Sequence, residues 1–308
     1  MAHPRRCVPH VNHALAAVLA LAALTASLAG CSAGSADSTS TTRAATLPTT
    51  TSQTTATTTT GTTASATTGT TPSATSTRWK PAVGTSWQWQ LTGTIDTSVN
   101  AAVYDVDGFD VPASTVAALH AKGRKVVCYI DVGSWENWRA DAKSFPSTVL
   151  GKSNGWAGEK WLDIRRQDIL GPIMAKRFDL CASKGFDAVE PDNVDGYANS
   201  TGFPLTGASQ ISYNTFIAGL AHARGMSVAL KNDTDQVRQL QPSFDFAVNE
   251  ECYAYQECST LTPFISAGKA VLHVEYSVAT TTFCPATTKL GFSSMRKHTD
   301  LGAWRQAC

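Results

Sequence analysis

The chain has 308 residues, of which 43% are hydrophobic and 16% charged, and its formal net charge is +1. With no basic tract and no aromatic-basic stripe, that balance argues against a nucleic-acid partner. The apolar residues are spread unevenly, so the chain is best read segment by segment.

Arg5 and Arg6 precede an apolar run that ends in Leu28-Ala29-Gly30-Cys31. A basic start, a short apolar stretch and small residues before a cut describe an export signal over 1–30. The last four residues resemble a bacterial lipobox, so Cys31 is the expected lipidation site and the outer face of the cell membrane the expected location. Ordinary cleavage and secretion is the alternative. Losing Arg5 and Arg6 with that segment turns the charge from +1 to −1. Residues 31–78 are almost entirely Thr, Ser, Ala and Gly. They have no apolar period and cannot bury a core, so they are expected to form a disordered tether.

Residues 79–308 suit one α/β domain. Eight strand-like segments fall at 87–91, 102–106, 125–131, 188–192, 227–231, 244–249, 270–274 and, weakly, 290–294. Helix-like stretches lie between them, at 112–123, 169–184 and 211–225 among others. Strands alternating with helices imply a parallel sheet, and eight units predict a (β/α)8 TIM barrel. A doubly wound sheet is the runner-up. No segment suggests oligomerisation, and a monomer is expected.

Six cysteines remain in this domain, and an exported domain with six is expected to form three disulfides. Cys252 and Cys258 are near enough to staple one loop, and Cys284 with Cys308 can tie down the C-terminus. If Asp131 points into the barrel, Cys128 points outward, where it can meet Cys181 on the helix before the next strand. No Cys-x-x-Cys pair or histidine cluster favours a metal, and no cofactor is implied.

The chemistry gathers at strand ends. In Glu190-Pro191-Asp192-Asn193 two carboxylates sit two residues apart and therefore share a face. Asp105, Asp131, Glu250 and Glu275 also end strands, as does Lys231. The same alternation puts only one of Glu250 and Glu251 inside, and places Lys231 and Asp233 on one side with Asn232 on the other. An acid-lined pocket of this kind points to carbohydrate chemistry, which needs two carboxyl groups flanking the scissile bond. Glu190 either pairs with Lys231 structurally or tunes Asp192. Asp105 and Asp131 contact sugar hydroxyls or cap helices. Asp163 and Arg165 brace a loop or join the site. Trp87 and Trp89 share parity, so both pack or one forms a sugar-stacking floor. Tyr253 is expected to stack, Trp138 to pack and His273 to be a satisfied interior histidine.

Five stretches carry a resemblance: Cys128-Tyr-Ile-Asp-Val-Gly-Ser-Trp-Glu136, Lys160-Trp-Leu-Asp-Ile-Arg165, Glu190-Pro-Asp-Asn-Val-Asp-Gly-Tyr197, Leu230-Lys-Asn-Asp233 and Asn249-Glu-Glu-Cys252. Together they resemble glycoside hydrolase family 114, whose characterised members are endo-α-1,4-polygalactosaminidases with a TIM-barrel catalytic domain. The resemblance implies Asp192 as nucleophile and Glu250 as acid/base in a retaining mechanism, with reversed roles as the alternative. Beside that pair, Asp105, Asp131, Glu190, Lys231, Tyr253, Glu275 and Trp89 are the substrate-binding candidates by their positions, and the resemblance implies a galactosamine-rich polysaccharide as substrate. An α-glycosidase for another glycan and a catalytically silent glycan-binding protein are the competing readings.

Overall fold

The computed structural model describes residues 78–308. The signal, Cys31 and the tether expected from the sequence lie outside the described residues. In chain order the elements are β1 (Trp87–Gln90), β2 (Val103–Asp107), α1 (Ala113–Ala121), β3 (Lys125–Asp131), β4 (Ser134–Glu136), β5 (Glu159–Trp161), α2 (Gln167–Lys184) and β6 (Ala188–Asp192). There follow α3 (Gly207–His222), β7 (Ser227–Lys231), α4 (Val237–Leu240), β8 (Phe246–Glu250), α5 (Thr262–Ser266), β9 (Val271–Glu275), α6 (Thr280–Lys289), β10 (Ser293–Arg296) and β11 (Gln306–Ala307). All eight predicted strands are present. The weakest lies a few residues beyond the predicted segment.

The eight strands β1, β2, β3, β6, β7, β8, β9 and β10 pair in that order, all parallel, and β11 runs antiparallel along β10. The sheet curls into a TIM-barrel-like shape. Its two ends meet through the C-terminal segment: Trp87 Nε1 donates to the Ser293 carbonyl at 2.8 Å, and Leu91 N donates to the Leu301 carbonyl at 2.9 Å. The expected eight strand–helix units are incomplete, because among the described residues no helix follows β10 and none lies between β1 and β2. The Gln90 amide organises that stretch instead, donating to the carbonyls of Thr92 and Thr94 and accepting from Asp96 N. The local turn thereby takes up the backbone groups a helix would need. The antiparallel hairpin β4–β5 was also not predicted, since strands of three residues are too short to show a period.

Alternation sorts the side chains into two cores. Val103, Val127, Ala188, Ala229, Phe246 and Val248 fill the lumen with Trp87 and Trp89, while Tyr104, Val106, Ile130, Val189, Val228 and Leu230 face the helices. Helix ends follow local chemistry. Thr206 and Ser209 form a reciprocal capping box at the start of α3, and α2 stops at Gly185, whose φ of 87° suits a residue without Cβ.

The three disulfides are Cys128–Cys181, Cys252–Cys258 and Cys284–Cys308. Cys128 faces outward from β3 onto α2, as the parity argument requires. Its bridge spans 53 residues, so on loop-closure entropy it constrains the unfolded chain most, by about 4 kcal/mol.

Candidate active site

Three strands end in the same way. Asp192 on β6, Lys231 on β7 and Glu250 on β8 are each followed at once by a left-handed residue: Asn193 (φ 59°), Asn232 (φ 48°) and Glu251 (φ 61°). Such a residue turns the chain sharply out of the sheet and stops the alternation, at a cost of roughly 1–3 kcal/mol where it is not glycine. Asparagine tolerates this region better than most. Gly133, after β3, permits a second close approach, because a Cβ there would lie 1.6 Å from the Asn193 carbonyl oxygen.

Lys231 is the hub. Its Nζ lies 2.7 Å from Glu190 Oε1, 3.1 Å from Asp192 Oδ1 and 3.3 Å from Glu250 Oε2, and it sits 4.7 Å from the centre of the Trp89 ring. Burial works against this ammonium, but Asp192, Glu190 and Glu250 together hold its pKa well above the usual lysine value. Burial likewise opposes ionisation of Asp192. Lys231, the Tyr129 hydroxyl and the Asn193 amide outweigh it, and the Asp192 carboxyl lies below the ordinary aspartate value. Asp192 is therefore an ionised carboxylate with one edge still open to the mouth.

Each mouth carboxylate also has a phenol. Tyr129 donates to Asp192 Oδ2 at 2.7 Å, and Tyr276 donates to Glu250 Oε1. Burial, then the neighbouring carboxylate charge, pushes both phenols well above the usual tyrosine value, so both stay protonated donors. Asn232 completes the frame. It donates to Glu250 Oε2 at 3.3 Å and accepts from Glu250 N at 2.9 Å.

The structure brings together Asp192, Glu250, Lys231, Glu190 and Asp105 and sets the other candidates apart. Asp105 is fully buried beneath Glu190, and Trp89 is buried under Lys231 instead of lying open as a floor. Asp131 points inward, but its oxygens accept from Gly133 N, Ser134 N, the Ser134 hydroxyl and Asn193 Nδ2. That carboxylate braces the turn after β3. Glu275 has the outward parity of His273, accepts from it at 2.9 Å, and also accepts from Tyr253 N at 2.8 Å. It anchors the loop carrying Tyr253, which lies at the edge of an open depression of about 580 Å³ beside the Cys252–Cys258 bridge. Asp163 and Arg165 form a two-point loop brace, both contacts at 2.7 Å. Trp138, expected to pack, is 52% exposed.

The sequence reading missed Tyr129, Tyr276 and Asn232 as site residues. It placed Asn232 on the far side because strict alternation was carried past Lys231, where the left-handed backbone breaks it. A second acidic pair was also missed. Burial and the Asp192 charge push Asp195 up to about 6, and burial with the Asp195 charge pushes Asp233 up to about 8. Cys252, Cys258 and His273 converge in one buried group. The two sulfurs are bonded to each other, which removes both thiolates a metal would need.

Two carboxyl groups at the mouth of a barrel-like lumen, joined by one ammonium and each steadied by a phenol, form the kind of pair that glycoside hydrolysis uses. Comparison with known proteins agrees. Residues 68–308 match the profile of glycoside-hydrolase family GH114. The crystal structure of Aspergillus fumigatus Ega3 in complex with galactosamine is similar with a TM-score of 0.72 and 42% identity, over 76% of this chain and 99% of that one. The glycoside hydrolase domain of PelA from Pseudomonas aeruginosa is similar in fold, with a TM-score of 0.57 and 10% identity over 71% of this chain and 97% of that one. Comparison with curated proteins finds no match.

Proposed function

Because the chain belongs to glycoside-hydrolase family GH114, we propose that it cuts α-1,4-linked, galactosamine-containing polysaccharide internally, with retention of configuration. The observation that carries this reading is the Lys231 ammonium held between Asp192 and Glu250. In the proposed mechanism Asp192 attacks the anomeric carbon while Glu250 gives its proton to the departing glycosidic oxygen. Water then opens the glycosyl-enzyme as Glu250 takes the proton back. Tyr129 and Lys231 hold the nucleophile ionised and aimed, and Tyr276 with Asn232 orients Glu250.

Retention is what the family resemblance suggests; Lys231 Nζ, 3.1 Å from Asp192 Oδ1 and 3.3 Å from Glu250 Oε2, holds the pair at one mouth as a two-carboxyl mechanism needs. Charge supports the substrate. Glu190 and Asp192 share the single Lys231 ammonium, and Asp195 lies close enough to feel the Asp192 charge. Such an excess of negative charge attracts the ammonium groups of de-N-acetylated galactosamine. Ega3, 42% identical, was crystallised with that sugar. Tyr253, at the edge of the depression beside the Cys252–Cys258 bridge, is the proposed stacking surface for a sugar ring. The site chemistry calls for no metal or organic cofactor. Completing the proposal, Cys31 anchors the exported chain by lipid and residues 31–78 tether the catalytic domain.

The test is release of new reducing ends from a de-N-acetylated galactosamine polymer by the full chain, Asp192→Asn and Glu250→Gln. Cleavage by the parent and loss in both folded variants is the expected result. An active Asp192→Asn would overturn the assignment, and an inactive parent on that polymer would favour another glycan.

A further inference from the structure

Beneath the mouth carboxylates lie two more that this chemistry leaves unassigned. Asp105 on β2 and Glu190 on β6 are both fully buried. They project into the lumen from alternate barrel strands, the arrangement that puts side chains in one interior layer. Glu190 Oε1 is engaged by Lys231 at 2.7 Å. Its Oε2 and both oxygens of Asp105 meet no hydrogen-bond donor among the described residues. The charged groups acting on Asp105 are Glu190, Lys231 and Asp192, while Trp89 and Val127 lie opposite it on the adjoining strands.

Were Asp105 ionised, it would add a third charge to those of Glu190 and Asp192 around one ammonium, and its two oxygens and Glu190 Oε2 would lie buried with no hydrogen to share. An uncompensated buried carboxylate takes up a proton sooner than bear that penalty. A single proton on Asp105 resolves the conflict, because it cancels one charge and supplies the missing donor to Glu190. Burial and the Glu190 charge push Asp105 well above the carboxylate range, and the hydrogen bond from Asp105 partly offsets the effect of burial on Glu190.

We propose that Asp105 is a constitutively protonated positioning residue, whose hydroxyl donates to Glu190 so that the pair carries one negative charge and leaves Lys231 shared with Asp192 and Glu250. Asp105 is fully buried and makes no hydrogen bond to the nucleophile. Without its donor, Glu190 draws the ammonium toward itself and away from the mouth, and Asp192 is held ionised less firmly.

The deciding measurement is the infrared difference spectrum between the parent chain and Asp105→Asn at neutral pH. It needs no substrate, so it stands apart from the galactosamine reading on which the kinetic arm rests. Loss of a protonated-carboxyl C=O band is expected, and loss of an ionised-carboxylate band instead would overturn the proposal. Asp105→Leu removes the same band and serves should Asp105→Asn fail to fold. In kinetics, Asp105→Asn keeps a donor and should retain kcat within about threefold, whereas Asp105→Leu should lose roughly 10- to 100-fold in kcat, the worth of one hydrogen bond to a charged group. The acid limb of the Asp105→Leu pH profile should also move to higher pH with KM little changed. Equal kinetics and an equal acid limb in the two variants would refute the positioning role.

Discussion

Replacing Lys231 with methionine removes a charge and keeps a chain of similar length, so it isolates the ammonium. Three carboxylate oxygens lie 2.7, 3.1 and 3.3 Å from Nζ, and the lysine is 2% exposed. At about 3 Å and an effective dielectric constant of about 20, each pair attracts by about 5 kcal/mol, against which desolvation and repulsion among the carboxylates must be set. Removing one member of a buried ion pair typically leaves a net loss of about 3–5 kcal/mol, a large part of the roughly 5–15 kcal/mol that keeps a domain folded. The dependence on pH is more telling than the size. In the parent, Asp192 is held below its ordinary value, so its contribution is present above the unfolded value and disappears as pH falls through the folded one. In Lys231→Met the carboxylates have no cation and titrate above their unfolded values. Their folded form then binds extra protons, and stability drops as pH rises toward neutral. The stability gap between parent and variant should therefore be widest near neutral pH and should narrow below about pH 4, where ordinary carboxylates are protonated. Urea unfolding of both proteins across that range reads it directly. A gap under about 1 kcal/mol, or one that does not change with pH, would refute the hub role of Lys231.

Tyr276→Phe removes the hydroxyl that donates to Glu250 and leaves the ring in place. Steady-state kinetics should show roughly a 10- to 100-fold fall in kcat, as for loss of a hydrogen bond to a charged group, and unchanged kcat would show the phenol to be idle. For the N-terminus, Cys31→Ala expressed in a lipoprotein-processing bacterial host should abolish incorporation of labelled palmitate and release the chain from the membrane fraction. Labelling that survives the substitution would place any lipid elsewhere.

Most of the barrel was legible because the strands obey a simple rule. Val126, Cys128 and Ile130 alternate with Val127, Tyr129 and Asp131, and that parity foresaw a bridge from Cys128 to a helix. It also foresaw that Glu190 and Asp192 share a face and that only one of Glu250 and Glu251 joins them, which the structure shows to be Glu250. At β9 the same rule points away from the conspicuous acid. Leu272 and Val274 face the lumen, so Tyr276 follows them inward, and Glu275 turns outward with His273. Charge at a strand end is therefore a weaker guide than the parity of the apolar residues before it. The segment between β1 and β2 was illegible for another reason. Its geometry is set by the Gln90 side chain folding onto its own backbone, and hydrogen bonds of that kind have no sequence period.

Alternation fails where the chemistry begins. Asn193, Asn232 and Glu251 each take a left-handed backbone one residue beyond a charged strand end. In a regular strand Asn232 would point away from the lumen. With the turn it reaches Glu250 twice, while Asn193 swings back to Asp131. The hydrogen bonds these turns make offset the strain, and those of Asn232 hold Glu250 in place. Two rules of different range thus build the site. A long-range parity delivers Asp105, Glu190 and Lys231 to the lumen, and a one-residue break at each strand end presents Asp192 and Glu250 at its mouth with their partners already attached.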